Sequence, residues 1–540
     1  MESREAMLAS VRATRWDVVV IGGGITGAGV AREAVRRGLR TLLIDQADYS
    51  WGTSSRSSKM VHGGIRYLSQ GDIMLTWHSL SERERLLREA PGLVSRMGYH
   101  FAHFRRRFPG RWLFQILLTV YDLLARVRDY RYFRSDSFLA RFPGHVATDL
   151  TGASRYTDAV VDDSRLVLRV LDEADADGLV RINYVQAVEV LRDGQRVAGV
   201  RLRDVADAMT ALPGTDGRHP LSEQGGALHE VSAACVINAT GAWADRLRGQ
   251  LVSEVRVRPL RGSHLVFAAE RLPVTEALLC HHPVDQRVMF IYPWEGRTIV
   301  GTTDLDHRDD LNVEAVLDQH EVDYLLAGAN ARFPQARVSA EDVIATWSGV
   351  RPIIAAGDGS DPSKERRSHA VWDNDGLITV TGGKLTTFRL IALDALKAAA
   401  RHLGRDIRDD GGLVFAPVPE PVWPARIVLA DRERLSGRYG RLLADFLAQM
   451  PPAEWRPVHP GLGTWLAELR WACRHEQVVH LDDLLLRRVR LGLLLPEGGL
   501  DTIAELDAIL AEELGWDSER IADERARFRT LWRRYYGLPS

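Results

Sequence analysis

At 540 residues the chain is too long for one core and is read as more than one domain. Hydrophobic residues at 45% and charged residues at 26% fit an ordinary folded protein, and a net charge of −2 argues against a general nucleic-acid binder. Three scattered cysteines (Cys235, Cys280 and Cys473) form neither a disulfide framework nor a metal-ligand spacing, so no metal is expected and a reducing compartment is.

The first 15 residues hold Glu2, Arg4, Glu5, Arg12 and Arg15 and no apolar core, so no signal peptide is expected. Val18-Val19-Val20-Ile21 then predicts a buried strand, and Gly22-x-Gly24-x-x-Gly27 follows it directly. A helix-like stretch over 30–37 and a second strand over 41–44 complete the pattern of a dinucleotide-binding turn, with Asp45 placed to accept hydrogen bonds from an adenosine ribose. Gly22 allows the tight turn, Gly24 lets a pyrophosphate approach the backbone, and Gly27 lets helix and strand pack closely. The phosphates would rest on the helix N-terminus near Thr26, where unpaired N–H groups favour negative charge.

Residues 52–68 are small, hydroxyl-rich and glycine-rich, and lead into an amphipathic helix over 74–90. Residues 101–134 carry eight arginines against Asp122 and Asp129, a local net of +6, on either side of an apolar segment at 112–121. A strand-rich section at 181–238 is broken by a polar stretch at 206–228, read as an exposed hairpin loop. Residues 256–306 alternate as antiparallel strands do, with Val255, Val257, Leu265, Val266, Val288, Phe290, Ile299 and Val300 as candidate core. A helical stretch follows at 313–333, then a strand at 377–381 and a helix to about Leu403. Prolines at 417–424 and 451–460 mark a boundary, beyond which 464–540 reads as wholly helical. No run of about 18 apolar residues spans a bilayer.

Five ordered motifs resemble the FAD-dependent glycerol-3-phosphate dehydrogenases, within the amino-acid-oxidase-like flavoproteins. They are Thr53-Ser54-Ser55-Arg56-Ser57-Ser58-Lys59, Val61-His62-Gly63-Gly64-Ile65-Arg66-Tyr67-Leu68, Gly301-Thr302-Thr303-Asp304, Ser348-Gly349-Val350-Arg351-Pro352 and Gly382-Gly383-Lys384-Leu385-Thr386-Thr387. The resemblance runs over residues 17–398 and again over 467–488. It departs from the family in having Asp45 where Glu is common and in longer loops near 215 and 420. It implies an α/β fold: a Rossmann-like FAD-binding domain (15–90, 150–250 and 345–403), an antiparallel-sheet cap (91–149 and 251–344), a linker (404–425) and an all-helical C-terminal domain (426–540).

The resemblance also implies oxidation of glycerol 3-phosphate to dihydroxyacetone phosphate by hydride transfer to flavin N5, with electrons passing to a membrane quinone. An oxidase passing them to oxygen shares every motif, although the short gap between Arg351 and Lys384 favours the dehydrogenase. A related amine or hydroxy-acid oxidase and a redox-dead flavin-binding regulator stand further off. FAD contacts are expected from Gly22, Gly24, Thr26, Gly27, Asp45, Thr53, Ser54, Ser55, Ser58, His62, Gly63 and Val185. They are expected also from Ala239, Thr240, Gly241, Trp243, Gly382, Gly383, Lys384, Leu385 and Thr386. Arginine forks suit a phosphate, so Arg66 and Arg351 are the first substrate candidates, with Tyr67, Lys384 and the weaker Arg367 beside them. Arg351 and Lys384 are also read as catalytic, Lys384 through the charge that builds on reduced flavin. The base is His264, with His62 as competitor and more simply a residue packed on the flavin. Thr303 and Asp304 are read as support.

A quinone acceptor requires membrane contact, expected as peripheral binding to an anionic inner face of the cell membrane from a cytoplasmic protein. Segment 112–121 is read as the interfacial helix, with Leu113, Phe114 and Leu117 in its apolar middle; a cap helix with a core-facing apolar side is the alternative. A homodimer is left open.

Overall fold

In the computed structural model, which describes residues 4–69, 71–207, 226–355 and 368–539, the described strands form two sheets. The first is built on the strand Trp16–Ile21, whose β-branched residues are buried on both faces, as a central parallel strand requires. It pairs in parallel with Thr41–Ile44 on one side and Leu228–Asn238 on the other. Leu377–Gly382 and Val180–Ile182 extend the parallel order outward. Helix Ile25–Val35 crosses over this sheet at close range because Gly27 has no side chain: a Cβ there would stand 1.8 Å from the Gly22 carbonyl oxygen. Helix Phe388–Leu403 packs beside it, its Phe388 ring lying over Gly29.

The second sheet is largely antiparallel and centres on Val257–Ala268, paired with Arg297–Gly301 and Val343–Ile354. Alternation sorts its residues: Leu265 and Phe267 join the core under helix Gln319–Arg332, while Val266 joins the opposite core with Trp347 and the C-terminal helices. This sheet also takes Met60–Val61, Val94–Phe104 and Leu150–Val161. The domain boundaries drawn at 150 and 345 are therefore corrected, since 150–161 and 345–354 are strands of the cap sheet. Local patterning cannot tell which of two sheets a strand joins.

Further corrections are local. Val255 and Val288 are exposed rather than core, at 74% and 39%. Of 313–333 only Gln319–Arg332 is helical, because Asp318 caps it in a box with Glu321. The helix after the basic cluster is Arg111–Ala125. The polar stretch at 206–228 lies mostly outside the described residues. Linker 404–425 has no regular structure but is pinned to the first domain, Arg32 donating to the Val414 carbonyl and Glu89 accepting from the Val414 N–H. The C-terminal part is helical as expected, including Leu429–Tyr439, Leu466–His475, Leu506–Leu514 and Ser518–Tyr535, with a π-turn at Asp483–Arg488.

Candidate active site

Between the two sheets lies a cavity of about 1560 Å³. Typical ligand sites hold roughly 300–1,000 Å³, so this one has room for an extended dinucleotide with a small substrate beside it. One end is the glycine turn. Gly22 has φ +109°, and a Cβ there would strike the Ala239 carbonyl oxygen at 2.6 Å. Gly24 caps helix Ile25–Val35, and the next N–H, of Ile25, donates to Ser54 Oγ at 3.0 Å. Asp45 Oδ2 accepts from the Gly23 N–H at 2.6 Å and Oδ1 from the Ala47 N–H at 2.9 Å. Burial raises the Asp45 carboxyl to about 7 against the pull of those two N–H groups. Carboxylate, open helix terminus and side-chain-free turn together fit the ribose and pyrophosphate of a dinucleotide.

The cavity wall gathers most of the expected cofactor residues: Gly22, Gly24, Thr26, Asp45, Thr53, Ser54, Ser58 and His62, then Ala239, Thr240, Gly241 and Trp243, then Gly382 to Thr386. Four are not on it. Gly27 and Ser55 lie behind the turn and loop; Ser55 is 5% exposed, and its carbonyl takes the Lys59 ammonium at 2.7 Å. Gly63 is a packing glycine: its N–H donates to Asp158, and a Cβ would meet Leu80 at 2.2 Å. Val185 points into the core below, while its neighbour Gln186 faces the cavity, as strand alternation requires.

At the other end Arg351 stands on the wall with its guanidinium fixed. Nη1 donates to Asp304 Oδ1 at 3.0 Å and Nη2 to Thr302 Oγ1 at 3.2 Å, while the plane lies over Gly262, where a Cβ would be 2.4 Å from Nη2. Asp304 thus holds the Arg351 guanidinium in place. Arg287, which the sequence did not single out, donates to the Asp304 carbonyl at 2.8 Å. Thr303 faces inward to Glu321 and the Ser263 N–H. Arg66, Tyr67 and Lys384 share the wall; the Lys384 ammonium sits 3.6 Å from the Tyr67 ring centre and donates to Ser79 at 3.0 Å. Arg367 lies outside the described residues.

His264 is not brought to the cavity. It is 1% exposed, stacked on Trp347 at 4.7 Å, and reaches Ser58 Oγ through Nε2 at 2.9 Å. Burial, then the charges of Arg351 and Lys59, push its imidazole well below the usual range. A base matched to neutral pH needs the opposite, so His264 is corrected from base to a support behind Ser58. His62 is on the wall, as is His281, and Thr386 Oγ1 accepts from the His62 backbone N–H at 3.3 Å.

Residues 17–395 match the family described as FAD dependent oxidoreductase, and residues 424–521 match the C-terminal domain of alpha-glycerophosphate oxidase. Glycerol-3-phosphate dehydrogenase 2 of Mycobacterium bovis is 34% identical, the alignment covering 95% of this chain and 87% of that one. The aerobic glycerol-3-phosphate dehydrogenase of Staphylococcus haemolyticus is 32% identical over 75% of this chain and 71% of its own. In structure, the glycerol-3-phosphate dehydrogenase of Bacillus halodurans, solved in complex with FAD, superposes with a TM-score of 0.72 at 25% identity, covering 98% of this chain and 96% of that one. The likeness takes in both sheets and the helical module rather than the nucleotide turn alone, and on that extent the chain belongs to the FAD-dependent glycerol-3-phosphate dehydrogenase family of FAD-dependent oxidoreductases.

Proposed function

We propose that this chain oxidises glycerol 3-phosphate to dihydroxyacetone phosphate and passes the electrons to a membrane quinone. Bound FAD supplies the hydride acceptor. The observation that carries the reading is the Arg351 guanidinium, oriented by Asp304 and Thr302, lining the same cavity as Arg66, Lys384 and the glycine turn. A phosphate dianion matches a guanidinium already oriented by Asp304, because the fork then loses little freedom on binding. With the phosphate anchored, the secondary alcohol projects toward the middle of the cavity. His62 and the Ser58 hydroxyl backed by His264 are the groups there that can take or hold the hydroxyl proton.

The quinone part of the proposal is supported by the outer face of helix Arg111–Ala125. Trp112, Leu113, Ile116 and Leu123 are 50–74% exposed, Phe108 is 81% exposed, and Ile73 and Met74 at the start of helix Ile73–Glu89 are exposed as well. Exposed Arg105, Arg106, Arg107, Arg126 and Arg128 flank helix Arg111–Ala125. That is the composition of an interfacial helix on an anionic bilayer, and no described helix is long and apolar enough to cross one. The expected face is corrected in phase. Phe114 is buried and stacked on Phe101 at 4.6 Å, and Leu117 is half-buried on the cavity wall, so the helix serves both core and patch. Phe108 and Leu113 both line the cavity and stand exposed, which supports a lipid side at the cavity mouth. The reading places the protein on the inner face of the cell membrane. Its test is the acceptor. On anionic liposomes holding a short-chain quinone, glycerol 3-phosphate should drive quinone reduction faster than oxygen uptake; dominant oxygen consumption would make it an oxidase.

A further inference from the structure

No described residue of the C-terminal module lines the cavity, yet several of its buried groups end directly behind the cavity wall. Arg487 Nε donates to Asp48 Oδ2 at 2.5 Å, and Arg488 grips both oxygens of Asp48 at 2.6 and 2.8 Å. All three residues are essentially inaccessible to solvent. Asp48 lies in the loop that follows Asp45, and the N–H of Ala47 in that loop holds Asp45 Oδ1. The Asn183 amide ties Asp48 Oδ1 at 3.1 Å to the Gln477 carbonyl at 3.0 Å. A second contact runs through Tyr49, whose hydroxyl donates to Gln477 Oε1 at 2.8 Å and whose ring packs on Gly23 of the glycine turn. A third comes from Arg490, in a left-handed conformation, which donates to the Ser55 carbonyl at 2.7 Å. Ser55 adjoins Ser54, whose hydroxyl receives the Ile25 N–H at the helix terminus. Three separate contacts from one module thus stop one layer behind the ribose acid, the turn and the hydroxyl loop.

We propose that the C-terminal module is a positioning element of the FAD site, with Arg487, Arg488 and Arg490 fixing the Asp48 and Ser55 loops in the arrangement that grips the cofactor. Stability alone does not account for these residues. Buried ion pairs give back in mutual attraction about what they lose in desolvation, and well-packed apolar side chains would hold the module as firmly. What a forked arginine adds is direction: it sets where a carboxylate or carbonyl points, and through it the loop. Because coupling is reciprocal, bound FAD should hold the module in place as strongly as the module holds FAD. The inference rests on FAD as the cofactor, which bleaching of the purified flavoprotein checks separately.

The test uses holoenzyme variants Arg488→Gln and Arg490→Gln beside a control, Arg434→Gln, whose partner Glu468 lies within the C-terminal module itself. FAD release is followed by recovery of flavin fluorescence on dilution, at a temperature where each variant is folded, and the thermal midpoint is measured in parallel. Arg488→Gln and Arg490→Gln should release FAD at least tenfold faster than the parent chain. The control should melt earlier yet release FAD at the parental rate. Arg488→Lys keeps the charge but not the fork and should fall between; it also serves if Arg488→Gln does not fold. Hydrogen exchange at residues 484–490 should speed up when FAD is removed. Parental release rates in the Arg488 and Arg490 variants, or equal acceleration in the control, would overturn the proposal and leave the module a general stabiliser.

Discussion

Replacing Arg351 by Ala removes the best-oriented cation of the cavity. Its side chain is about one-fifth exposed, and one edge of its fork is already committed to Asp304 and Thr302. A phosphate on this oriented guanidinium gains charge-assisted hydrogen bonding, so the loss is that of about one such bond, roughly 1.5–3 kcal/mol. At about 1.4 kcal/mol per decade this predicts a fall in kcat/KM of about tenfold to a hundredfold or slightly more. The substitution also removes the Arg351 contact from Asp304 and uncovers Gly262, so part of any loss can be structural. Arg351→Lys separates the two: it keeps a charge near Asp304 without the fork and should recover part of the activity. The assay is steady-state turnover with a soluble dye, comparing glycerol 3-phosphate with glycerol, and FAD content is read from absorbance. If Arg351 anchors the phosphate, the preference for glycerol 3-phosphate over glycerol should collapse while FAD content holds. An equal loss on both substrates would refute the assignment.

Gly24→Val should yield colourless protein, because even the first added carbon meets Ser54 Oγ at 3.0 Å and the branches must enter the helix terminus; full flavin absorbance would contradict the cofactor placement. The raised Asp45 carboxyl gives a pH prediction. The cofactor-free fold keeps a proton that the unfolded chain sheds above its ordinary 3.8, so that contribution to stability is present at low pH and lost as pH rises through about 7. Ribose hydroxyls favour the ionised form, so FAD should bind about fivefold more weakly at pH 6 than at pH 7, and a calorimetric profile unchanged by Asp45→Asn would exclude the linkage. His62→Ala should slow anaerobic flavin reduction in stopped flow, whereas His264→Ala should act through Ser58 and leave no titration near neutrality; the reverse pattern would restore His264 as the base. Changing Trp112, Leu113 and Ile116 to Ser should abolish sedimentation with anionic liposomes while dye-linked activity survives, and undiminished binding would remove this helix from the membrane.

The parts of the site legible in the sequence are those where one short segment does the work. A glycine turn needs its glycines at fixed spacing, and Gly22, Gly24 and Asp45 stand where that spacing put them. Arg351 and Lys384 were visible for the same reason, each inside a glycine-bearing motif. What stayed hidden depends on approach from distant segments. His264 lies on a strand entering the active-site end, but only packing against Trp347 and Ser58 shows that it stops short of the cavity. Gly63 sits among cofactor-loop residues, yet its missing side chain makes room for Leu80 and Tyr121. The amphipathic period of 112–121 was readable and its phase was not, because the ring of Phe101 that takes Phe114 belongs to the separate strand Val94–Phe104. The arginines behind Asp48 carry no local signal, since Arg487 and Arg488 read as an ordinary basic helix end until the fold seats them against the first domain.

The most direct test of the central claim is an anaerobic titration of the purified flavoprotein. Glycerol 3-phosphate should bleach the oxidised flavin absorbance stoichiometrically, and glycerol at the same concentration should leave it largely unchanged. Flavin that stays oxidised in the presence of glycerol 3-phosphate, or that bleaches equally with glycerol, would contradict the assignment of this cavity as a phosphate-anchored alcohol dehydrogenase site.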